Sequence, residues 1–196
     1  MHQAPTRLTR VMNEAPQPEP VGNLYLVGPM GSGKTTLGKH MADILGLEFI
    51  DCDQEIERRT GASVNLIFDI EGEEGFRTRE TALLEELSQR TGMLVATGGG
   101  AVLSEENRRL LQRSGFVVWL RTSVAHQLHR LGRDRSRPLL QTPNRDQMLE
   151  RMARERNPLY TEVADLVFDT SHRNIKQVAA RLCEDIQDHW QPPQKT

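Results

Sequence analysis

Cysteine is scarce in this sequence, whose 196 residues include only Cys52 and Cys183. Two cysteines without metal-type spacing cannot build a disulfide framework or a zinc site, so the sequence predicts a reducing compartment, the cytoplasm. No apolar run approaches the roughly 18 residues of a membrane span. No apolar region follows Arg7 and Arg10, as it would in a secretory signal. The pattern therefore predicts neither export nor a membrane partner.

Net charge is also small, since 25 basic and 27 acidic residues give −2. No global basic field favours nucleic acid as a partner. Lysine is the rare cation, with 4 lysines against 21 arginines. Arginine offers a rigid donor fork that matches phosphate and carboxylate, but GC-rich coding would produce the same skew. Composition leaves both explanations open.

Short apolar runs alternate with helical patterns between residues 21 and 190, which we predict to form a single α/β domain. Strands are predicted over residues 24–27, 47–51, 93–97, 116–120 and 166–169. Strands of four or five apolar residues separated by helices are typical of a parallel sheet covered on both faces. Residues 1–20 are predicted to be a disordered leader, because they carry four prolines and little apolar periodicity, and residues 191–196 a flexible tail.

The helical patterns set further expectations. The first helix should bury one apolar face and end at Gly46. That face consists of Leu37, Met41, Ile44 and Leu45. Long charged and amphipathic helices are expected over residues 71–90, 104–113 and 175–186. A helix that opens at Asn144 is expected to end before Pro158, because proline cannot donate the helical hydrogen bond.

A glycine-rich run lies between the first predicted strand and helix. Its sequence, Gly28-Pro-Met-Gly-Ser-Gly-Lys34-Thr35, matches G-x-x-x-x-G-K-[ST] in the strand–helix context that this motif requires. Its glycines permit positive φ, so backbone N–H groups can surround an anion. Lys34 can reach the β- and γ-phosphates, and the Thr35 hydroxyl can hold Mg²⁺. The alternative is a glycine-rich turn with a stray lysine.

Two aspartates follow the second predicted strand in the run Asp51-Cys52-Asp53. Strand alternation predicts that both carboxylates share one face at the carboxyl edge of the sheet, where open α/β sheets bind ligands. One could hold Mg²⁺ while the other accepts a hydroxyl proton. Alternatively, Asp53 is the N-cap of a helix over residues 54–59.

Three glycines and two arginines complete the candidate site. Gly98, Gly99 and Gly100 follow the third strand, where they indicate close approach of backbone to a ligand or a plain flexible turn. Arg77 lies early in the long charged helix, and Arg156 near the end of a later one. By spacing alone, each arginine is either a ligand-binding cation or part of a solvated ion-pair face.

Residues 121–156 contain nine arginines and no lysine. Their central part has no period and carries Gly132 and Pro138 as breakers. An arginine-rich irregular loop in a phosphate-binding domain predicts a lid that closes over phosphates and excludes water. A mobile surface loop with solvated charges is the competing interpretation.

Taken in order, these motifs resemble the shikimate kinases, enzymes of the nucleoside-monophosphate-kinase structural group. The similarity extends from about residue 23 to about residue 181. The phosphate loop is generic, whereas the ordered set is specific. The set comprises residues 28–36, Asp51-Cys-Asp53, Glu71-Gly-Glu-Glu-Gly-Phe-Arg77, Thr97-Gly-Gly-Gly100, Arg137-Pro-Leu-Leu140 and Arg156-Asn-Pro-Leu-Tyr160. Trp119 departs from the family pattern, and we interpret it as core packing.

The resemblance implies a five-stranded parallel sheet of order 2-3-1-4-5, a substrate-binding region around residues 52–80 and a lid around residues 130–143. It implies a monomer whose substrates are ATP and shikimate, with Mg²⁺ as cofactor. The products would be ADP and shikimate 3-phosphate, on the route to chorismate and the aromatic amino acids.

Site residues follow from the same resemblance, position by position. Contacts to ATP would come from Gly31, Ser32, Gly33, Lys34, Thr35, Thr36, Arg137 and Arg173. Mg²⁺ would be held by Thr35 and Asp51. Shikimate would be bound by Asp53, Arg77, Gly98, Gly99, Gly100 and Arg156. The catalytic set would be Lys34, Asp53 and Arg137, with Arg137 moving on the lid and Asp53 either deprotonating or only orienting the 3-hydroxyl.

The chemistry of the acceptor agrees with this assignment. Two guanidinium groups, Arg77 and Arg156, suit the single carboxylate of a small polyol acid. Phosphoryl transfer needs mainly alignment and charge neutralisation, which Lys34, Mg²⁺ and Arg137 would supply. Two enzyme rivals are a kinase for another hydroxy acid, such as gluconate, and a nucleoside-monophosphate kinase. A nucleotide-dependent switch that binds a protein partner is the rival from another class.

Overall fold

A computed structural model describes residues 22–131, 144–170 and 174–190. Five parallel strands form one sheet in the order β2-β3-β1-β4-β5. This confirms the α/β class and the strand order that the resemblance implied. The strands are β1 (Asn23–Val27), β2 (Glu48–Asp51), β3 (Met93–Ala96), β4 (Gly115–Arg121) and β5 (Leu166–Asp169).

Helices follow the strands and cover both faces of the sheet. They are α1 (Lys34–Leu45), α2 (Cys52–Thr60), α3 (Val64–Ser88), α4 (Glu105–Ser114), α5 (Val124–Leu131), α6 (Arg145–Val163) and α7 (Ile175–Gln187), with a 3₁₀ turn at Ala101–Leu103. Across the three described ranges, no helix is both long enough and apolar enough to cross a membrane. The predicted leader, the tail and most of the predicted lid lie outside the described residues.

Strand β1 runs through the centre of the protein and shows why these runs are apolar throughout. Leu24 and Leu26 face a core formed with α1 and α7, whereas Tyr25 and Val27 face a second core formed with α2, α3, α4 and α6. All four side chains are buried. A strand covered on both faces needs apolar residues at every position, which removes the alternation of a half-exposed strand.

Helix α1 ends before Gly46 as predicted, and three of the four residues predicted for its apolar face, Leu37, Met41 and Leu45, are buried. Ile44 is 52% exposed, so the prediction that it lies on the buried face is wrong. The buried face instead includes Gly38 and Ala42. A Cβ on Gly38 would lie 2.6 Å from the Phe49 ring, so the absent side chain lets the helix approach the sheet. Small residues set this face, and an apolar pattern does not count them.

Strand β2 ends at Asp51, two residues before Asp53, to which the alternation argument required it to continue. Cys52 is already the first residue of α2, so strand alternation does not relate Asp51 to Asp53, and that prediction is wrong. The N-cap is Asp51, whose side chain accepts a hydrogen bond from the Gln54 N–H. The interpretation of Asp53 as the N-cap is therefore also wrong.

Helix α3 begins seven residues before the predicted start of the long charged helix. Its N-cap is Ser63, whose hydroxyl accepts a hydrogen bond from the Leu66 N–H. The chain leaves helical geometry at Gly72, with φ 72° and ψ −176°, so α3 consists of two helical parts joined by a kink. An ion pair between Arg79 and Glu71 spans this kink at 2.8 Å.

Helix α6 continues through Pro158, so the prediction that it ends before this proline is wrong. The residues after the proline include Tyr160 and Val163, whose buried side chains contact the core. That burial offsets the hydrogen bond that proline cannot donate. Arg156 consequently lies inside a helix. Trp119 is buried and stacks on Tyr160, which confirms its interpretation as core packing.

Candidate active site

The phosphate-binding motif forms a tight loop between β1 and α1. Gly28, Gly31 and Gly33 have φ of 144°, 75° and 93°, as the sequence predicts, and Gly33 is the left-handed residue that precedes the helix. Lys34 turns back over the loop and donates hydrogen bonds from Nζ to the carbonyls of Gly28, at 2.7 Å, and Pro29, at 3.0 Å. This places an ammonium group beside the N-terminus of α1, and both features favour a bound anion.

Thr35 and Asp51 lie together beside this loop. The Thr35 hydroxyl donates to Oδ2 of Asp51 at 2.6 Å, while Oδ1 of the same carboxylate caps α2. A hydroxyl and a carboxylate are hard oxygen ligands that suit Mg²⁺. In the part of the chain that the structure describes, no group of three or more His, Cys, Asp or Glu residues could hold a metal. A magnesium ion here would therefore need oxygens from a bound phosphate and from water.

The glycine turn after β3 lies directly against charged side chains. A Cβ on Gly98 would overlap Oε1 of Glu80 and lie 3.0 Å from Oδ1 of Asp53, and one on Gly100 would overlap the Arg77 guanidinium. The absence of side chains thus lets three ionisable groups from α2 and α3 contact one short segment of backbone. The alternative of a plain flexible turn does not explain this packing.

Arg77 belongs to a partly buried ion pair and not to a solvated face. Its Nη1 lies 2.7 Å from Oε2 of Glu80, and its Nη2 lies 3.1 Å from Oε1 of Glu73. The Glu80 side chain is fully buried. Burial raises the pKa of Glu80, and the charge of Arg77 opposes that rise. Burial alone would lower the pKa of Arg77, but the pairing with both glutamates outweighs it and raises the pKa.

Arg156 reaches the same turn from α6 on the other side. Its Nη1 donates to the Gly99 carbonyl at 3.3 Å, and the Tyr160 hydroxyl donates to the same oxygen at 2.5 Å. Two atoms around the turn are buried and have no hydrogen-bond partner among the described residues: Nε of Arg156 and Oε1 of Glu80. Orphaned buried polar atoms of opposite character indicate a place where a polar ligand completes the network.

The remaining predicted nucleotide residues divide into two groups. Ser32 is buried within the phosphate loop, and Thr36 is exposed on the first turn of α1. Arg137 and Arg173 lie outside the described residues, so their contacts remain predictions. The space between the loop, α5 and α6 is a small cavity lined in part by Pro29, Met30, Met152 and Arg156.

Sequence reasoning missed three residues at this site. Glu80 lies one helical turn after Arg77, and that i, i+3 spacing was the available signal. Tyr160 ends the motif Arg156-Asn-Pro-Leu-Tyr160, in which the resemblance implies a role for the arginine only. Arg130 donates from Nη1 to the Gly31 carbonyl at 3.0 Å and from Nη2 to the Thr170 carbonyl, which adds a second cation beside the phosphate loop. No local pattern distinguishes it from its arginine neighbours.

Comparison with known proteins gives a consistent result. The family model described as shikimate kinase matches residues 30–187. The shikimate kinase of Vibrio parahaemolyticus is 52% identical over 166 residues, which cover 85% of this chain and 96% of that protein. The solved structure of shikimate kinase from Acinetobacter baumannii in complex with shikimate has a TM-score of 0.83 and 49% identity, and the match covers 87% of this chain and 95% of that one.

Proposed function

Because the chain belongs to the shikimate kinase family, we propose that it transfers the γ-phosphoryl group of ATP to the 3-hydroxyl of shikimate. The products are ADP and shikimate 3-phosphate, an intermediate on the route to chorismate and the aromatic amino acids. The observation that carries this proposal is the convergence of Asp53, Arg77 and Arg156 on the glycine turn after β3. That group lies beside a phosphate loop, so an acid acceptor and a nucleotide can meet there.

The phosphate loop and the start of α1 bind the nucleotide in this proposal. Backbone N–H groups of Gly31, Ser32 and Gly33 surround the phosphates, and Lys34 exchanges its carbonyl partners for phosphate oxygens. Thr36 lies next in the helix. Arg137 and Arg173 would add charge from segments outside the described residues.

Magnesium fits the oxygen pair formed by Thr35 and Asp51. A magnesium ion held there would supply charge neutralisation for the nucleotide phosphates. The protein contributes the positions of the two oxygens. Asp51 is fixed by its capping bond to α2, and Thr35 by its place in the first turn of α1. The Thr35 hydroxyl and the Asp51 carboxylate, which now bond each other, would be the residues that hold the ion.

The acceptor carboxylate is bound by the two arginines and the glycine turn. Arg77 and Arg156 come from different helices, so their guanidinium groups can reach one carboxylate from two sides. Charge-assisted hydrogen bonds of this kind contribute about 1.5–3 kcal/mol each. Gly98, Gly99 and Gly100 allow the acceptor to approach the backbone closely.

Asp53 orients the hydroxyl that attacks the γ-phosphate. It lies in the first turn of α2 and against Gly98, on the side of the turn where α3 brings Arg77. In a loose transition state the nucleophile needs alignment more than early deprotonation. Asp53 can accept the proton late in the transfer, when the oxygen becomes acidic. Water is a competing acceptor, and the predicted lid around residues 130–143 would exclude it.

One assay distinguishes this proposal from its rivals. ADP release is measured with Mg–ATP and shikimate, gluconate or AMP as acceptor, and the phosphorylated product is identified by mass spectrometry. We expect fast turnover with shikimate alone. Turnover with gluconate only, or with AMP only, would show that shikimate is not the acceptor. Slow ATP hydrolysis at the same rate with all three acceptors would favour a nucleotide-dependent switch.

A further inference from the structure

Tyr160 makes the shorter of two side-chain hydrogen bonds to the glycine turn. It follows Arg156 by one turn of α6, and its hydroxyl is 2.5 Å from the Gly99 carbonyl oxygen, against 3.3 Å for Nη1 of Arg156. The side chain is 1% exposed, so water does not compete for this bond. One backbone carbonyl thus receives two donors from one helix.

The direction of this carbonyl determines the direction of the next N–H. A trans peptide unit is planar, so the Gly99 carbonyl and the Gly100 N–H point in opposite directions. A carbonyl drawn towards α6 therefore turns the Gly100 N–H away from α6. The carbonyls of Gly98 and Gly100 accept local backbone hydrogen bonds from the N–H groups of Ala101 and Leu103. The Gly99 carbonyl instead receives side-chain donors from α6.

We propose that Tyr160 is a positioning residue that holds the Gly99–Gly100 peptide and the Arg156 side chain in the arrangement that binds the acceptor carboxylate. This inference rests on the proposed function, because it assigns Tyr160 to the same acceptor site. The hydroxyl does not contact the acceptor in this proposal. It acts through the backbone carbonyl that it shares with Arg156.

The surroundings of Tyr160 make its hydroxyl a permanent donor. Burial raises the pKa of the phenol, and the nearby Arg156 only partly opposes the rise, so the group stays protonated over the working range of an enzyme. The ring stacks on Trp119, with centroids 5.6 Å apart and an angle of 28° between planes. That stacking fixes where the hydroxyl lies and is retained when tyrosine is replaced by phenylalanine.

The chain offers a matched control for this substitution. Tyr25 is the only other tyrosine in the sequence, and its side chain is also 1% exposed. Its hydroxyl is 2.9 Å from Oγ of Ser114, at the amino end of the sheet and away from the glycine turn. Tyr160→Phe and Tyr25→Phe each remove one buried, hydrogen-bonded hydroxyl. Only the first change touches the proposed acceptor site.

Steady-state kinetics and calorimetric titration of shikimate test the inference. We expect Tyr160→Phe to raise the KM and the Kd for shikimate about threefold to tenfold, the loss of one buried hydrogen bond. We expect kcat and the KM for ATP to stay within about twofold, and the melting temperature to fall no further than in Tyr25→Phe. A second comparison combines Tyr160→Phe with Arg156→Lys, whose joint effect on KM should be smaller than the product of the single effects.

Each other outcome counts against the inference. An unchanged KM for shikimate in Tyr160→Phe, or an equal rise in Tyr25→Phe, would leave Tyr160 with a packing role only. If the effects on KM multiply in the double variant, Tyr160 acts independently of Arg156. Failure of the unmodified protein to phosphorylate shikimate would overturn the proposed function itself, and that measurement precedes the variants.

Discussion

Arg77 and Glu80 form an ion pair in which the glutamate is buried and the arginine is partly exposed. The two charged atoms are 2.7 Å apart, and the glutamate side chain has no exposed surface while the arginine retains 21%. The buried carboxylate holds the Arg77 guanidinium in place through Nη1. The Arg77 guanidinium lies against Gly100 of the glycine turn, where we propose that the acceptor carboxylate binds.

The first prediction concerns the charge of Glu80. Glu80→Gln keeps the size of the side chain and one possible hydrogen bond to Arg77 but removes the charge. We expect the KM for shikimate to rise about tenfold, since a charge-assisted bond contributes roughly 1.5–3 kcal/mol and Arg77 loses its orientation. The free energy of unfolding should change by less than about 1 kcal/mol, because the neutral amide needs no cation and the partly exposed Arg77 keeps its ion pair with Glu73. An unchanged KM would show that Arg77 does not depend on Glu80.

The second prediction concerns Arg77, the ion-pair partner of Glu80. Arg77→Ala leaves a buried carboxylate without its cation, which destabilises proteins by about 3–5 kcal/mol. Burial already raises the pKa of Glu80, and loss of Arg77 removes the contact that opposes the rise. A carboxyl whose folded-state pKa is raised stabilises the fold below its unfolded pKa, and that contribution is lost as pH rises through the folded pKa. Urea unfolding at pH 5 and pH 8 should therefore show a larger deficit at pH 8. An equal deficit at both values would contradict this account.

The third prediction separates the two roles of Asp51. Its Oδ1 caps α2 and its Oδ2 bonds Thr35, the pair that we assign to Mg²⁺. Asn is as good an N-cap as Asp, so Asp51→Asn should keep stability but raise the Mg²⁺ concentration for half-maximal activity at least about tenfold. Asp51→Ala should also lose about 1 kcal/mol of unfolding free energy. Equal magnesium requirements in Asp51→Asn and the unmodified protein would remove Asp51 from the metal site.

The strands could be predicted from sequence because a strand buried on both faces has a continuous run of apolar residues. The predicted and observed bounds of β5 agree. Each of the other strands differs from its predicted range by one or two residues. Helix α4 begins one residue after the predicted start at residue 104, because Ser104 is its N-cap and capping is local chemistry. For α1 the pattern of large apolar residues identified Leu37, Met41 and Leu45 correctly but missed the small residues Gly38 and Ala42, which are buried where Ile44 is not.

Site residues could be predicted where a local motif specifies the backbone geometry. They could not be predicted where only tertiary packing brings them to the site. Lys34 and Thr35 follow from the glycine positions of the phosphate loop. Glu80 resembles any acidic residue of a charged helix, and only the rotation of α3 against the glycine turn buries it. The position of Arg156 inside α6 was concealed by Pro158, which local rules treat as a helix end.

The fourth prediction uses the shape of the glycine turn. A Cβ on Gly100 would overlap the Arg77 guanidinium, whereas one on Gly99 would lie 3.3 Å from the nearest atom, the Met30 nitrogen. Gly100→Ala must displace Arg77 and should raise the KM for shikimate about tenfold or more, with the KM for ATP unchanged. Gly99→Ala should have the smaller effect on shikimate. Equal effects would mean that the turn adapts and that Arg77 is not held against it.

The last prediction tests the role of Asp53 in turnover. Asp53→Asn keeps the side-chain shape against Gly98 but loses a proton acceptor, so kcat should fall about 10²- to 10⁴-fold, while calorimetry shows unchanged Mg–ATP binding. Asp69→Asn, a change at an exposed position of α3, is the control and should match the unmodified protein. A residual rate that rises with pH would indicate that Asp53 accepts the proton, because hydroxide can partly replace a base. A pH-independent deficit would indicate that it only aligns the hydroxyl. If Asp53→Asn retained full kcat, the carboxylate would have neither role, and its contact with the glycine turn would be structural.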